Sequence, residues 1–247
     1  MSFSESERHA RELHEAGFTG LKSVPDWPPL AFAEAQHGQW SATVIRLLSE
    51  ANWCVSTDGR PGDAAAEYAN NALRGLGANI WVSTTHPSAP DKWEADEYGG
   101  PRWYVSIIEA AWQQRSGCCD EEGRLPPLPP TLVDVLWPNE TDGGKPWLTE
   151  LGWTVVPPHS SPQQWHADIV RCEPEPPGWI RSAHGRFHHI AFKADRTTAP
   201  TTEGVRGAFD YATGDERIPH GWADARVETM TALPCVLFDS ELVHRAL

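Results

Sequence analysis

The chain has 247 residues, with 20 Lys and Arg against 34 Asp and Glu, a formal net charge of −14 at pH 7. That balance argues against nucleic acid as a partner, because phosphate neutralisation needs a basic face. At 40% hydrophobic and 22% charged the chain reads as globular, not disordered, and no apolar run approaches the ~20 residues that a membrane span needs.

In chain order, Ser4 followed by Glu7 forms a potential capping box. The apolar stripe of Ala10, Leu13 and Ala16 then predicts a helix that ends at Gly17. Residues 18–24 read as a strand stopped by Pro25, Pro28 and Pro29. Helices are expected over 40–51 and 63–74, a short strand over 80–83, and a stretch turning helical toward its end over 103–113. Residues 115–130 and 138–146 read as loops rich in Gly, Pro and acid.

After Gly152 the pattern changes to short strand-like runs, over 153–156, 163–170, 187–193, 205–211, 226–231, 235–238 and 242–245. Seven such runs separated by turns predict a sandwich or jelly roll rather than a βαβ sheet. The whole, 1–247, reads as one α+β domain: a mostly helical part, 1–150, wrapped onto a β core, 151–247.

The charged opening, MSFSESERHARELHEAGF, has no apolar stretch of the signal-peptide kind. Five cysteines, including the vicinal pair Cys118 and Cys119, then read as reduced thiols, which predicts a cytoplasmic protein. Thirteen tryptophans and 22 prolines suit either a Trp-built core with long ordered loops or a surface of aromatic platforms.

His166 and Asp168 carry the first sign of chemistry. On a strand, residues i and i+2 point to one side, so this imidazole and carboxylate can reach one ion. A third ligand completes a two-His-one-carboxylate set that leaves positions open on ferrous iron. His244, in VLFDSELVHRA, is the candidate. The alternative reading of the His-x-Asp pair is a surface turn, since composition alone makes one such pair unsurprising.

Three segments, in order, bear on this choice: LHEAGFTGLKSV, HSSPQQWHAD (159–168) and CVLFDSELVHR (235–245). They resemble, respectively, the N-terminal helix and strand, the Gln-x-x-His-x-Asp run and the late strand of the phytanoyl-CoA dioxygenase-like family. That resemblance implies an oxygenase dependent on Fe(II) and 2-oxoglutarate, built on a double-stranded β-helix (jelly-roll, cupin-like) core with N-terminal helices packed on it. It implies that His166, Asp168 and His244 bind iron and that Gln163 contacts 2-oxoglutarate. Dioxygen and a small organic molecule would be the other substrates. The carboxylate of Asp168 argues for hydroxylation over halogenation, whose enzymes have a small residue there. His159 stands where the family has Gly at the turn.

In the family an arginine about ten residues past the distal histidine pairs with the far carboxylate of 2-oxoglutarate. Only Arg245, Ala246 and Leu247 follow His244. Arg245, adjacent to the ligand, faces the other side of a strand. The expectation is therefore a chain whose last core strand is missing, with Arg186 or Lys193 as the available cation. On the strand over 187–193, Phe187, His189, Ala191 and Lys193 share one face and Arg186, His188, Ile190 and Phe192 the other. Two other readings remain: a cupin-like metalloenzyme that does not use 2-oxoglutarate, and a catalytically inactive jelly-roll binding module.

Overall fold

A computed structural model describes residues 4–51, 62–85, 102–108, 126–136, 148, 150–157, 188–192, 202–209, 227–229, 235–240 and 242–246. These fall into two compact units interleaved along the sequence. One comprises Met1–Pro25, Pro129–Lys145 and Gln163–Leu247, the other Asp26–Leu128 and Pro146–Pro162.

In the first unit, helix α1 (Glu5–Ala16) starts as its sequence dictates. The Ser4 hydroxyl accepts from the Glu7 N–H and the Glu7 carboxylate accepts from the Ser4 N–H. Reciprocal capping of this kind satisfies two donors that a helix start leaves orphaned. Gly17, at φ 85°, closes the other end in the left-handed conformation that a Cβ disfavours. The chain then enters strand β1 (Phe18–Leu21) directly.

Strand β1 pairs antiparallel with β8 (Cys235–Asp239), Phe18 opposite Phe238, and β8 pairs on its other side with β5 (His188–Phe192). The central strand β8 is buried at every residue, as expected of a strand covered on both faces. A second sheet runs β7 (Val227–Thr229), β6 (Thr202–Phe209), β9 (Leu242–Ala246), again antiparallel. The register of β6 shifts between Gly204 and Phe209, where it carries extra residues against β9. Val236 and Phe238 of β8 and Leu242 of β9 form one apolar cluster, with Phe18 packed against it, so the two sheets share a core. A short helix, α4 (Pro130–Leu136), contacts α1.

The second unit begins with α2 (Pro28–Glu50), whose two prolines occupy its first turn. Pro28 and Pro29 thus start a helix that the sequence reading began only at residue 40. Proline at the first helical positions gives up an N–H that has no partner anyway. Helix α3 (Asp63–Gly75) buries Ala65, Ala66, Ala69 and Leu73 and packs on β2 (Ile80–Thr85). Strands β2, β3 (Arg102–Ile107) and β4 (Gly152–Val155) form an antiparallel sheet in that order. Ile80, Val82, Trp103, Val105, Ile107 and Val155 are its buried apolar positions. Residues 102–107 are thus a strand, whereas the expected helical turn beyond residue 108 lies outside the described residues. Among the described residues no helix is long and apolar enough to cross a membrane.

Gly152 shows why a glycine stands in β4. A Cβ built there would lie 2.8 Å from the Cζ and hydroxyl of Tyr104 and would run into the carbonyl oxygen of Val105. The carbonyl belongs to the paired strand and cannot move without disturbing the β3–β4 ladder. Gly152→Ala should therefore cost about 1–3 kcal/mol or more, as overpacking does. A urea midpoint within error of the unsubstituted protein would refute this.

Candidate metal centre

Of the residues expected to act, His244 is described. It lies on β9 opposite Gly204 of β6, and its side chain is 6% exposed. Residues i and i+2 of a strand share a face, so His244 stands on the side of β9 that also carries Leu242 and meets β8. Its ring lies 5.0 Å from that of Phe238, tilted by 58°. Nδ1 lies 2.9 Å from the carbonyl oxygen of its own strand neighbour Leu242. A carbonyl only accepts, so Nδ1 carries the proton, and in a neutral imidazole Nε2 is then the nitrogen with the lone pair. A carbonyl on the distal nitrogen is the usual support of a metal-ligating histidine. The donor chemistry at His244 therefore fits a metal.

His166, Asp168, Gln163, Arg186 and Lys193 lie outside the described residues. Among the described residues no three His, Cys, Asp or Glu side chains come together as a metal site. Arg245, next in sequence to His244, donates through Nε and Nη2 to the Glu203 carboxylate at 3.0 and 2.8 Å. That contact fits its cross-strand position opposite Glu203 and its expected place on the face away from His244.

Two neighbours of His244 bear on the site. Phe238 is buried between imidazoles: the His189 ring stacks on it at 4.6 Å and 19°, and His244 tilts against it. His189 pairs directly with Phe238 in the β5–β8 register, so the odd-numbered face of β5 is the one on the side of His244. Strand alternation puts His189 on that face, and nothing in its own motif ties it to the site. The signal was Phe238, two residues before the turn into the strand of His244.

The sequence reading also missed a polar ring between α1 and β1. His9 is 5% exposed, and its Nδ1 lies 2.7 Å from the Thr19 hydroxyl, which donates to Glu12 at 2.6 Å. Since Thr19 gives its proton to the carboxylate, its oxygen accepts from the His9 Nδ1–H. Nε2 then accepts from Arg8 Nη2 at 3.2 Å, and Arg8 Nη1 closes the ring on Glu12 at 2.9 Å. The spacing of Glu5, His9 and Glu12 along one helix face was the available signal. Burial pushes the His9 imidazole below its ordinary range, and Arg8 and Lys22 add to this against Glu12 and Glu5. Burial raises the Glu12 carboxyl, but the hydrogen bonds from Thr19 and Arg8 outweigh it and hold the group below the ordinary carboxylate range.

The sign of the pH effect follows. His9 is kept neutral in the fold, whereas the unfolded chain takes up its proton near pH 6.5. Its contribution is complete above about pH 6.5 and is lost as pH falls from there through the lower folded value. Urea midpoints between pH 8 and 5 should fall more steeply for the unsubstituted chain than for His9→Gln. Parallel lines would exclude His9 as the source. Glu12 acts in the same direction, but only as pH falls below the unfolded carboxylate range near 4.3.

Comparison with protein-family models and with curated proteins finds no match. Among solved structures, the chain is similar to the crystal structure of AviO1 from Streptomyces viridochromogenes Tue57. The two are 13% identical with a TM-score of 0.43, over 100% of this chain and 89% of that one.

Proposed function

We propose that the chain is a non-haem iron oxygenase that couples oxidative decarboxylation of 2-oxoglutarate to hydroxylation of a small organic substrate. In this reading His166, Asp168 and His244 hold Fe(II), and Gln163 contacts 2-oxoglutarate. The observation that carries the reading is the buried imidazole of His244, whose Nδ1–H is given to the Leu242 carbonyl and whose lone pair is thereby on Nε2. Two three-stranded antiparallel sheets that share the Val236, Phe238 and Leu242 cluster suit a double-stranded β-helix.

When bound, Fe(II) supplies the activation of dioxygen, with the oxo-acid as co-reductant. The chain's own residues do the rest. Two neutral imidazoles and one carboxylate leave open positions for the oxo-acid and dioxygen. The Phe238 ring of the apolar cluster packs beside the His244 imidazole. The far carboxylate of 2-oxoglutarate needs a cation, and Lys193 or Arg186 serves. A reducing, cytoplasmic setting suits ferrous iron and the free thiol of Cys235, which burial pushes up to about 12.

Anaerobic titration with Fe(II) and then 2-oxoglutarate tests the reading. The expected result is one iron per chain, a weak visible charge-transfer band on adding the oxo-acid, and succinate once dioxygen is admitted. Iron without the oxo-acid band would point to a cupin-like metalloenzyme of another reaction type. Absence of stoichiometric iron would leave a binding module.

A further inference from the structure

We infer that Phe238 is a positioning residue for His244: its ring fixes the plane of the imidazole and so the direction of the Nε2 lone pair. The inference rests on His244 being an iron ligand. Two of the contacts on the imidazole constrain different motions. The Nδ1–H bond to Leu242 at 2.9 Å acts in the ring plane and opposes a flip that would exchange Nδ1 for Cδ2. It does little against a small tilt, because a hydrogen bond tolerates about 30° of bending, but a larger tilt breaks it and releases the tautomer. The Phe238 ring, its centroid 5.0 Å away and its plane inclined by 58°, blocks the tilt.

Phe238 can resist because it is itself gripped. Its backbone lies in the central strand, paired with Phe18 on one side and His189 on the other. The His189 ring covers it at 4.6 Å, nearly parallel. Val236 and Leu242 complete the surroundings. A ligating side chain has to be held within about 10–20° of its productive direction, and here the rigidity comes from β8, the strand buried along its whole length.

Phe238→Leu keeps the position apolar and removes the flat face, and Phe238→Tyr restores the face. The first readout is the ring ¹⁵N spectrum of His244 in the metal-free protein, assigned by its loss in His244→Gln. The unsubstituted chain and Phe238→Tyr should show a single tautomer protonated at Nδ1, and Phe238→Leu an average of both. The second is anaerobic Fe(II) affinity by chelator competition, expected to fall about tenfold in Phe238→Leu, as it does when support of a ligand is removed, and to recover in Phe238→Tyr. His189→Ala, at an exposed position, should fold whatever Phe238→Leu does. It should weaken iron binding about threefold, a fraction of the support effect. A merely structural role would lower the melting temperature and move neither readout. Unchanged tautomer and iron affinity in Phe238→Leu and His189→Ala would overturn this inference alone. Absence of stoichiometric iron on the unsubstituted chain would overturn the ligand reading and this inference with it.

Discussion

His166→Ala, Asp168→Ala and His244→Ala are each expected to lose stoichiometric Fe(II) binding and, with it, succinate formation. Ion affinity in a three-residue set is carried by so few donors that no fold-level compensation exists. The three should differ in stability. His244 is buried against Phe238, so its truncation also removes packing and should cost about 1–3 kcal/mol, as buried substitutions commonly do. His244→Gln, closer in volume, separates the two effects. Asp168→Gly removes the one anionic ligand while two imidazoles stay, so weakened iron binding without hydroxylation is expected. The measurement is iron per chain by anaerobic dialysis, beside circular dichroism. Any single variant that keeps the original iron affinity removes that residue from the ligand set.

Asn70→Ala is expected to be among the most destabilising substitutions in the second unit. The Asn70 side chain is buried on α3 and makes two hydrogen bonds to one residue of β2. Its Nδ2 donates to the Val82 carbonyl at 2.8 Å, and its Oδ1 accepts from the Val82 N–H at 2.8 Å. Among the described residues strand β2 is at the edge of its sheet, and the carboxamide bonds that edge as a neighbouring strand would. Alanine leaves a buried donor and a buried acceptor unmade, each worth about 1–3 kcal/mol. Against a total stability of about 5–15 kcal/mol, that is a large share. Equilibrium urea unfolding measures it, and a loss below about 0.5 kcal/mol, the range of ordinary surface changes, would show that water replaces the carboxamide.

Local chemistry was legible in the sequence wherever a signal is short. Ser4, Glu7 and Gly17 define α1 to the residue, and the short strand-like runs over 235–238 and 242–245 locate β8 and β9 to within one residue. The start of α2 was not, because Pro28 and Pro29 stop a strand and begin a helix equally well, and only the tertiary context chooses. The strand over 102–107 was obscured by the Ile-Glu-Ala-Ala run that follows it, which has a helical composition. For the site, His244 could be named from its motif, but its support by the Leu242 carbonyl and the Phe238 ring depends on backbone geometry and cross-strand register. The ring around His9 escaped for a similar reason. A histidine flanked by Arg8 and Ala10 looks like surface until Thr19 folds back over it.

The pairing of Phe18 with Phe238 joins the second element of the chain to the last but one. A contact between such distant positions carries a heavy loop-closure cost and forms late. During synthesis, which proceeds at roughly 5–20 residues per second, α1 and β1 leave the ribosome long before β8 and must wait for it. Until then one edge of β1 has no strand to bond, and Phe18 has no Phe238 to cover it. The nascent chain thus carries an early aggregation hazard that ends only when residues 235–239 are made.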